Sequence, residues 1–270
     1  MSSLALIGNL TVDRIAGDAP RAGGGVFHAA RAAAQVGADA AVATRCAPAD
    51  RETALAALEA TGIPVTSGDA RETTAFSFHY EGDHRVMTVD AVGDTWTVDD
   101  VEGWAAPTLH DARWVLVAGL LRSHFPTDTL AALRRGGRHL ALDGQGLVRV
   151  ASRGPLERDA DVDRRVFEHL TVLKVNEDEA QILAGGLEPE RLRSLGVPEV
   201  LLTLGSKGAL VVTGDEAVPI APHPVHGAAD PTGAGDAFTL VYLDARQRGV
   251  TPVPAAERAS RAVADLISSR

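Results

Sequence analysis

Short apolar runs, each closed by a turn residue and followed by a helix-compatible segment, recur along the chain. Such runs predict strands that are buried on both faces, and their alternation with helical segments predicts a mostly parallel sheet. The predicted strands cover residues 4–7, 40–44, 114–118, 140–143, 170–175, 200–204 and 209–213. The predicted helices cover residues 27–36, 53–60, 128–135, 177–183, 237–246 and 255–267. We therefore expect an α/β fold in which a doubly wound, mostly parallel sheet is the middle of three αβα layers.

Residues 73–89 follow a different pattern. Polar and apolar side chains alternate over 73–80 and again over 84–89, and the residues between them, Glu81-Gly82-Asp83, have the composition of a turn. Alternation with period two is typical of strands that expose one face, so this segment predicts a β-hairpin. Residues 11–15 alternate in the same way. We expect a small β-sheet outside the main core, within one domain that covers residues 1–270.

Composition and charge narrow the range of functions. The 270 residues are 45% hydrophobic, which is enough for one sizeable core. The net charge is −10 and the acidic excess is spread along the chain, so we expect neither a nucleic-acid partner nor a membrane partner. The single cysteine, Cys46, excludes internal disulfides and cysteine-based zinc sites. Together with the lack of a signal-like start and of any long apolar run, it indicates a cytoplasmic protein.

The most informative stretch is DPTGAGDAF at residues 230–238. Its small residues leave backbone N–H groups uncovered, and the segment that follows is predicted to be helical. A helix N-terminus carries unpaired N–H donors and the positive end of a dipole, so it binds anions. Asp236 would repel an anion there, but it suits a base that takes a proton from a hydroxyl attacking a phosphoryl group. The alternative is a glycine-rich connection in which Asp236 only caps the helix.

Two further stretches have both a functional and a structural interpretation. Asn176 and Glu179 lie three residues apart at a predicted strand-to-helix junction, where they share a face and can hold hydrated Mg²⁺ or a phosphate. The same pair is also a capping box. Residues 203–208 read Thr-Leu-Gly-Ser-Lys-Gly, a turn that can cradle a phosphate or lie against a base, although many ordinary β-turns look alike.

The order of these pieces is informative in itself. Gly-x-x-x-x-Asp at residues 8–13 comes first, and Gly23-Gly24 follows before a predicted helix. The hairpin comes next, and after it the motifs Asn-x-x-Glu, Thr-x-Gly-x-x-Gly and Asp-x-Thr-Gly-Ala-Gly-Asp. This arrangement resembles the ribokinase-like (PfkB) carbohydrate kinase family over nearly the whole chain. The resemblance implies that residues around 11–20 and 73–89 form a lid sheet over the substrate, and that the chain forms a homodimer through this lid.

The resemblance also implies roles for individual residues. Asp236 matches the catalytic base, and the turn Gly233, Ala234 and Gly235 matches the anion hole for the transferred phosphate. The residues implied to organise Mg²⁺ and ATP are Asn176, Glu179, Thr203, Gly205 and Gly208. Those implied to bind the sugar hydroxyls are Asp13, Gly23 and Gly24. Asp230 and Thr232 match residues that bind a monovalent cation such as K⁺ in some members.

The sequence departs from the ribokinase pattern on the acceptor side. His28 stands where those members usually have asparagine, and Gly25 stands where they often have lysine, which argues against a pentose such as ribose. Residues 143–149, DGQGLVR, resemble a pattern of members that act on inositol or nucleosides, which makes Gln145 a candidate acceptor ligand. The alternative for this stretch is a βα loop that Asp143 caps.

We therefore expect an ATP- and Mg²⁺-dependent kinase that phosphorylates a hydroxyl of a small polyol, first a sugar and then inositol or a nucleoside. Two alternatives stay open. One is a non-catalytic nucleotide or sugar sensor on the same fold, although a sensor has no need of Asp236. The other is a kinase for a hydroxymethylpyrimidine-type vitamin precursor, against which Asp13 and the hairpin argue.

Overall fold

The computed structural model describes residues 4–15, 18–81, 84–225 and 232–268, so the predicted turn at Gly82-Asp83 and Asp230 lie outside the described residues. The strands are β1 (Leu4–Asn9), β2 (Thr11–Ile15), β3 (Arg21–Gly23), β4 (Ala40–Cys46), β5 (Val65–Asp69), β6 (Thr74–Glu81), β7 (His84–Ala91), β8 (Trp114–Val117), β9 (His139–Asp143), β10 (Gly154–Pro155), β11 (Val172–Asn176), β12 (Glu199–Thr203), β13 (Ala209–Thr213) and β14 (Ala217–Ile220). The helices are α1 (Gly25–Val36), α2 (Ala56–Glu59), α3 (Val98–Glu102), α4 (Ala106–Leu109), α5 (Thr127–Arg134), α6 (Gln145–Val148), α7 (Glu177–Ala184), α8 (Pro189–Arg193), α9 (Ala234–Gln247) and α10 (Pro252–Ser268).

The large sheet has the strand order β14-β13-β12-β11-β9-β8-β1-β4-β5. In this order, all neighbouring strands between β12 and β5 are parallel to one another. The strands β13 and β14 add an antiparallel edge next to β12. Alternate residues of β1 enter opposite cores: Leu4 and Leu6 pack with α1, α9 and α10, whereas Ala5 and Ile7 pack with the helices of the other face. The predicted three-layer α/β architecture is therefore confirmed.

A second sheet, which we call the lid sheet, has the order β10-β7-β6-β2-β3. It contains the predicted hairpin and the predicted strand at 11–15. Its inner face carries Phe76, Phe78 and Val89, which form a small core with Leu120 and Leu121. Those two leucines come from the loop after β8, so the lid sheet is packed onto the edge where the parallel strands end.

Some elements differ from the prediction. The predicted helix at 53–60 is a π-helical turn, Arg51–Leu55, that continues into the four-residue α2. The strands β5 and β14 were not predicted because they are half-exposed edge strands that carry glycine or proline instead of an apolar run. None of the helices within the described ranges combines the length and the apolar composition that crossing a lipid bilayer requires.

Candidate active site

A cavity of about 340 Å³ lies between the lid sheet, the carboxyl ends of β9 and β11, and the first turns of α1 and α9. In parallel α/β sheets ligands bind at this edge, because the loops and helix N-termini converge there. The lining residues are Thr11, Asp13, Gly24, Gly25, His28, Phe76, Phe78, Met87, Leu120, Asp143, Gln145, Arg149, Lys174, Asn176, Thr232, Gly233, Ala234, Gly235 and Asp236. Most of the residues predicted to form the site therefore share one cavity.

The predicted anion hole is the N-terminus of α9. Gly233 is the N-cap residue with φ +77°, and no side chain caps the helix, so its first N–H groups are left for a ligand. A Cβ on Gly233 would lie 2.6 Å from Cγ of His28. Glycine is required here for both its positive φ and this close approach. His28, predicted to contact the acceptor, thus packs directly against the turn that is predicted to hold the phosphate.

Asp236 lies in the first turn of α9 and lines the cavity. It approaches the start of α1 so closely that a Cβ on Gly25 would lie 2.8 Å from its Oδ1 atom. Burial raises the pKa of Asp236 to about 7, and Asp143 adds to the rise while Lys174 and Arg149 oppose it. A carboxylate with a pKa near neutrality accepts a proton more readily than an ordinary aspartate does.

Lys174 connects the two strands that end at the cavity. It is the register partner of Asp143, and its Nζ atom lies 3.0 Å from Asp143 Oδ2 and 4.0 Å from Glu179 Oε2. The same Nζ lies 3.2 Å from the position that a Cβ on Gly235 would take, so the ammonium group adjoins the α9 turn. Burial acts to lower the pKa of Lys174, but Asp143, Glu179 and Asp236 outweigh it and the pKa is raised.

Asn176 and Glu179 form the capping box that was the alternative interpretation of this pair. The Glu179 backbone N–H donates to Asn176 Oδ1 at 2.8 Å, and the Asn176 backbone N–H donates to Glu179 Oε2 at 2.9 Å. Asn176 Nδ2 also donates to Glu179 Oε1 at 3.0 Å. Burial raises the pKa of Glu179. The box holds both side chains rigidly at the cavity edge, and their predicted contact with Mg²⁺ and phosphate stays a prediction.

The predicted nucleotide-side turn lies beside the cavity and not in its wall. Thr203 pairs with Asn176 in the sheet, and its Oγ1 donates to the Val175 carbonyl at 3.2 Å. Residues 205–207 form a 3₁₀ turn after β12. At Gly208 a Cβ would lie 2.2 Å from the Ile220 carbonyl oxygen, so this turn packs against the end of β14.

The acceptor side combines polar and apolar walls. Thr11 Oγ1 donates to Asp13 Oδ1 at 2.8 Å. Gly23 is the register partner of Thr11, and a Cβ there would overlap Asp13, so Gly23 supports Asp13 and is not itself in the cavity wall. Gly24, the N-cap of α1, does line the cavity.

Sequence reasoning singled out the stretch from Asp143 to Arg149 but did not predict that these two residues line the cavity together with Lys174. The signal for Lys174 was present, because a lysine within the apolar run of β11 needs a carboxylate partner. The four apolar residues Phe76, Phe78, Met87 and Leu120 were also not predicted to line the site.

Metal ligands are sparse in the part of the chain that the structure describes. There, no group of three or more His, Cys, Asp or Glu side chains is arranged to hold a metal ion. Thr232 lines the cavity, whereas its predicted partner in a monovalent-cation site, Asp230, lies outside the described residues.

Comparison with solved structures supports the fold. A pyrophosphate-dependent kinase in the ribokinase family, complexed with a pyrophosphate analog and myo-inositol, has a TM-score of 0.83 at 24% identity over 98% of this chain and 94% of its own. A nucleoside kinase of Burkholderia thailandensis in complex with inosine has a TM-score of 0.76 at 19% identity over 98% and 90%.

Comparison of sequences supports the family. The ribokinase of Arabidopsis thaliana is 28% identical over 161 residues, which span 56% of this chain and only 38% of that protein. The model of the pfkB family of carbohydrate kinases matches residues 12–269. With this match over almost its whole length, the chain belongs to the pfkB carbohydrate kinase family.

Proposed function

We propose that the protein is a kinase that transfers a phosphoryl group to a hydroxyl of a small polyol, with Asp236 as the general base. One observation carries this proposal. The Asp236 carboxylate lines the cavity at the first turn of α9, has a pKa of about 7, and makes no hydrogen bond to another described residue. Burying this carboxylate costs stability, which a proton-accepting role explains.

The proposed reaction needs positioning and charge stabilisation more than covalent catalysis. Asp236 accepts the proton of the acceptor hydroxyl, whose oxygen forms a new bond to phosphorus as the bond between phosphorus and the leaving oxygen of the donor breaks. The N–H groups of Ala234, Gly235 and Asp236 lie where they can stabilise the charge on the transferred phosphoryl oxygens. Losing one donor of such a preorganised hole costs roughly 10²–10³ in rate.

The cavity supports a small polyol as the acceptor. Its volume of about 340 Å³ is at the lower end of ligand pockets, which span roughly 300–1,000 Å³. Asp13, His28 and Gln145 offer polar groups to hydroxyls, and the aromatic side chains of the lid sheet offer an apolar wall. We place sugars first, then inositol and nucleosides, which the names of the two similar structures include.

The proposed donor is ATP with Mg²⁺. Mg²⁺ prefers oxygen ligands, keeps several waters and needs only one or two protein carboxylates. Asp143 and Glu179 are the proposed carboxylates; because their oxygens already accept from Lys174 and Asn176, they would hold the ion through its waters. Such an ion neutralises charge on the donor phosphates. Inorganic pyrophosphate is the second candidate donor, because the cavity wall carries two cations, Lys174 and Arg149, that suit phosphate groups without a nucleoside. Thr232, with Asp230, is the proposed site for a monovalent cation.

The proposed setting of the protein is the cytoplasm, as a homodimer through the lid sheet. The hairpin and strand β2 predicted for that sheet support the dimer, because lid sheets of this family often form such a contact. Light scattering on the purified protein at several concentrations tests it: a mass of twice 28.1 kDa supports the dimer, and a mass of 28.1 kDa contradicts it.

The kinase proposal is tested by product formation. Wild-type protein is incubated with Mg²⁺ and either ATP or pyrophosphate against sugars, inositols, nucleosides and a hydroxymethylpyrimidine, and phosphorylated products are detected by ³¹P NMR. Asp236→Asn is assayed in parallel. Asp244→Asn is the matched control, because it makes the same change near the other end of α9, where Asp244 pairs with Arg248.

We expect one acceptor class to be phosphorylated by wild type and Asp244→Asn, and Asp236→Asn to lose about 10³-fold in kcat, within the range typical of a general base. Near wild-type turnover by Asp236→Asn would show that Asp236 is not the base. Ligands that raise the melting temperature without any product would support the sensor, and turnover of the pyrimidine alone would support the vitamin-precursor kinase.

A further inference from the structure

Arg149 is one of the charged residues that line the cavity. It follows α6 directly, and within the described residues its side chain forms no hydrogen bond or ion pair, while its Nε atom is completely buried. Its backbone is held on both sides: its N–H donates to the Gln145 carbonyl at 3.2 Å, and its carbonyl accepts from the Arg122 N–H at 3.0 Å. These two bonds fix the backbone of Arg149 beside the cavity.

Three other cations with largely buried side chains have carboxylate partners within the described residues. Lys174 pairs with Asp143 at 3.0 Å, Arg246 with Glu199 at 2.5 Å, and Arg45 with Asp100 at 2.6 Å. Removing a charge from water without a partner is costly, and a protein normally avoids it. Arg149 differs from these three in having no carboxylate partner among the described residues, and an anion that enters the cavity would supply one.

The charges around Arg149 indicate which ligand this anion belongs to. Burial lowers the pKa of Arg149, and Glu179, Asp143 and Asp236 oppose this effect, so the guanidinium lies among carboxylates at the end of β9 and in the first turns of α7 and α9. Glu179 belongs to the predicted Mg²⁺ and phosphate element, whereas Asp13 lies on the acceptor side. A guanidinium binds phosphate through two parallel hydrogen bonds, which no neutral polyol can match.

We propose that Arg149 is a donor-binding residue that contacts the phosphate end of the phosphoanhydride donor. This inference rests on the proposed kinase function and extends it, since it assigns a residue to the phosphate chain itself. It also explains why a cation without an ion-pair partner is kept beside three carboxylates: the donor phosphate and its metal ion would supply the missing opposite charges.

The test measures donor and acceptor binding separately. Arg149→Gln, Arg149→Lys and wild type are titrated calorimetrically with Mg²⁺-pyrophosphate, with Mg²⁺-ATP and with the acceptor found in the product assay. Arg158→Gln is the matched control, because Arg158 is exposed and lies outside the cavity wall but also acts electrostatically on Arg149. Melting temperatures are recorded without ligand.

We expect Arg149→Gln to weaken binding of the preferred donor about 10- to 100-fold, the range of one charge-assisted hydrogen-bond interaction. Acceptor binding should change less than about twofold, and the melting temperature without ligand should stay close to that of wild type, since the side chain makes no hydrogen bond or ion pair with a described residue. Arg149→Lys should recover part of the affinity, and Arg158→Gln should bind as wild type does.

Three outcomes would overturn this inference. Donor binding that is unchanged in Arg149→Gln, a loss confined to the acceptor, or a melting temperature several degrees below wild type would each show that Arg149 does something else. If Asp236→Asn still loses turnover in that case, the kinase proposal stands and only the role of Arg149 is wrong. If Asp236→Asn keeps its turnover, the base assignment fails, and the donor titrations still decide the role of Arg149.

Discussion

Two ionic clusters lie at opposite ends of the large sheet, and they differ in how completely their charges are paired. At the start of β12, Glu199 accepts hydrogen bonds from Tyr242 Oη at 2.5 Å, from Arg246 Nη2 at 2.5 Å and from Arg246 Nε at 3.1 Å. At the carboxyl ends of β9 and β11, Lys174 is paired with Asp143, but the side chains of Asp236 and Arg149 make no hydrogen bond or ion pair with another described residue.

This difference distinguishes charged residues that stabilise the fold from charged residues that serve binding or catalysis. A buried ion pair whose hydrogen bonds are all made holds elements together, as Glu199 does between β12 and α9. Charges left without partners in a cavity lower the stability of the fold, and they persist where a ligand or a reaction needs them. Mutations in the first cluster should therefore change only the stability of the protein, and mutations in the second cluster should change its activity.

Glu199→Ala should give the largest loss of stability. It leaves the Arg246 guanidinium and the Tyr242 hydroxyl without their partner, so the free energy of unfolding should fall by about 3 kcal/mol. Denaturant unfolding measures this, with the exposed Glu216→Ala as control. The kcat of the folded variant should equal that of wild type, and a drop in kcat at unchanged stability would contradict the division into two clusters.

Gly233→Ala should lower both stability and activity. The new Cβ meets the His28 ring at 2.6 Å and sits at φ +77°, a conformation that costs an L-residue about 1–2 kcal/mol. Because the turn must shift, we expect kcat/KM to fall about 100-fold. Gly249→Ala is the control: it has φ +82° after the same helix with no atom within 4 Å of its Cβ, so it should lose stability and keep its activity.

Glu179→Gln tests whether the capping box also serves the metal ion. The amide keeps the shape and one acceptor of the carboxylate but removes its charge, so the Mg²⁺ concentration at half-maximal rate should rise about tenfold. The KM for the acceptor should stay the same. An unchanged Mg²⁺ titration would leave Glu179 with its capping role alone.

Tyr242→Phe should have the smallest effect. Glu199 keeps both bonds to Arg246, so the loss of one hydroxyl should lower the free energy of unfolding by about 1 kcal/mol and leave the rate unchanged. If this variant lost as much stability as Glu199→Ala, the tyrosine and not the ion pair would be the main contributor at this end of the sheet.

The sequence predicted the sheet, the hairpin and the location of Asp236, because each depends on local patterns. Buried strands read as apolar runs, and the small residues before α9 mark its start whatever the rest of the chain does. The edge strands β3, β5 and β14 were missed, since short, half-exposed strands have no such run.

The charge network was not predictable in the same way. Lys174 meets Asp143 only because β9 and β11 are register partners, and His28 meets Gly233 only because α1 and α9 pack side by side. Such contacts join residues that are far apart in the chain, and no local pattern records them. The unpaired state of Arg149 depends on every neighbour of the cavity and is visible only in three dimensions.

We expect that Asp236 is kept as a base near neutrality at the expense of stability. A comparison of the free energies of unfolding of wild type and Asp236→Asn between about pH 4 and pH 8 tests this without knowledge of any substrate. The pKa of Asp236 rises on folding from its ordinary 3.8 to about 7, so its contribution to stability is present below about pH 4 and is lost as the pH rises through 7. We expect Asp236→Asn to gain stability relative to wild type over this interval, and the gain to level off above about pH 7. A difference that stays constant across the range would contradict it, because Asp236 would then be an ordinary carboxylate.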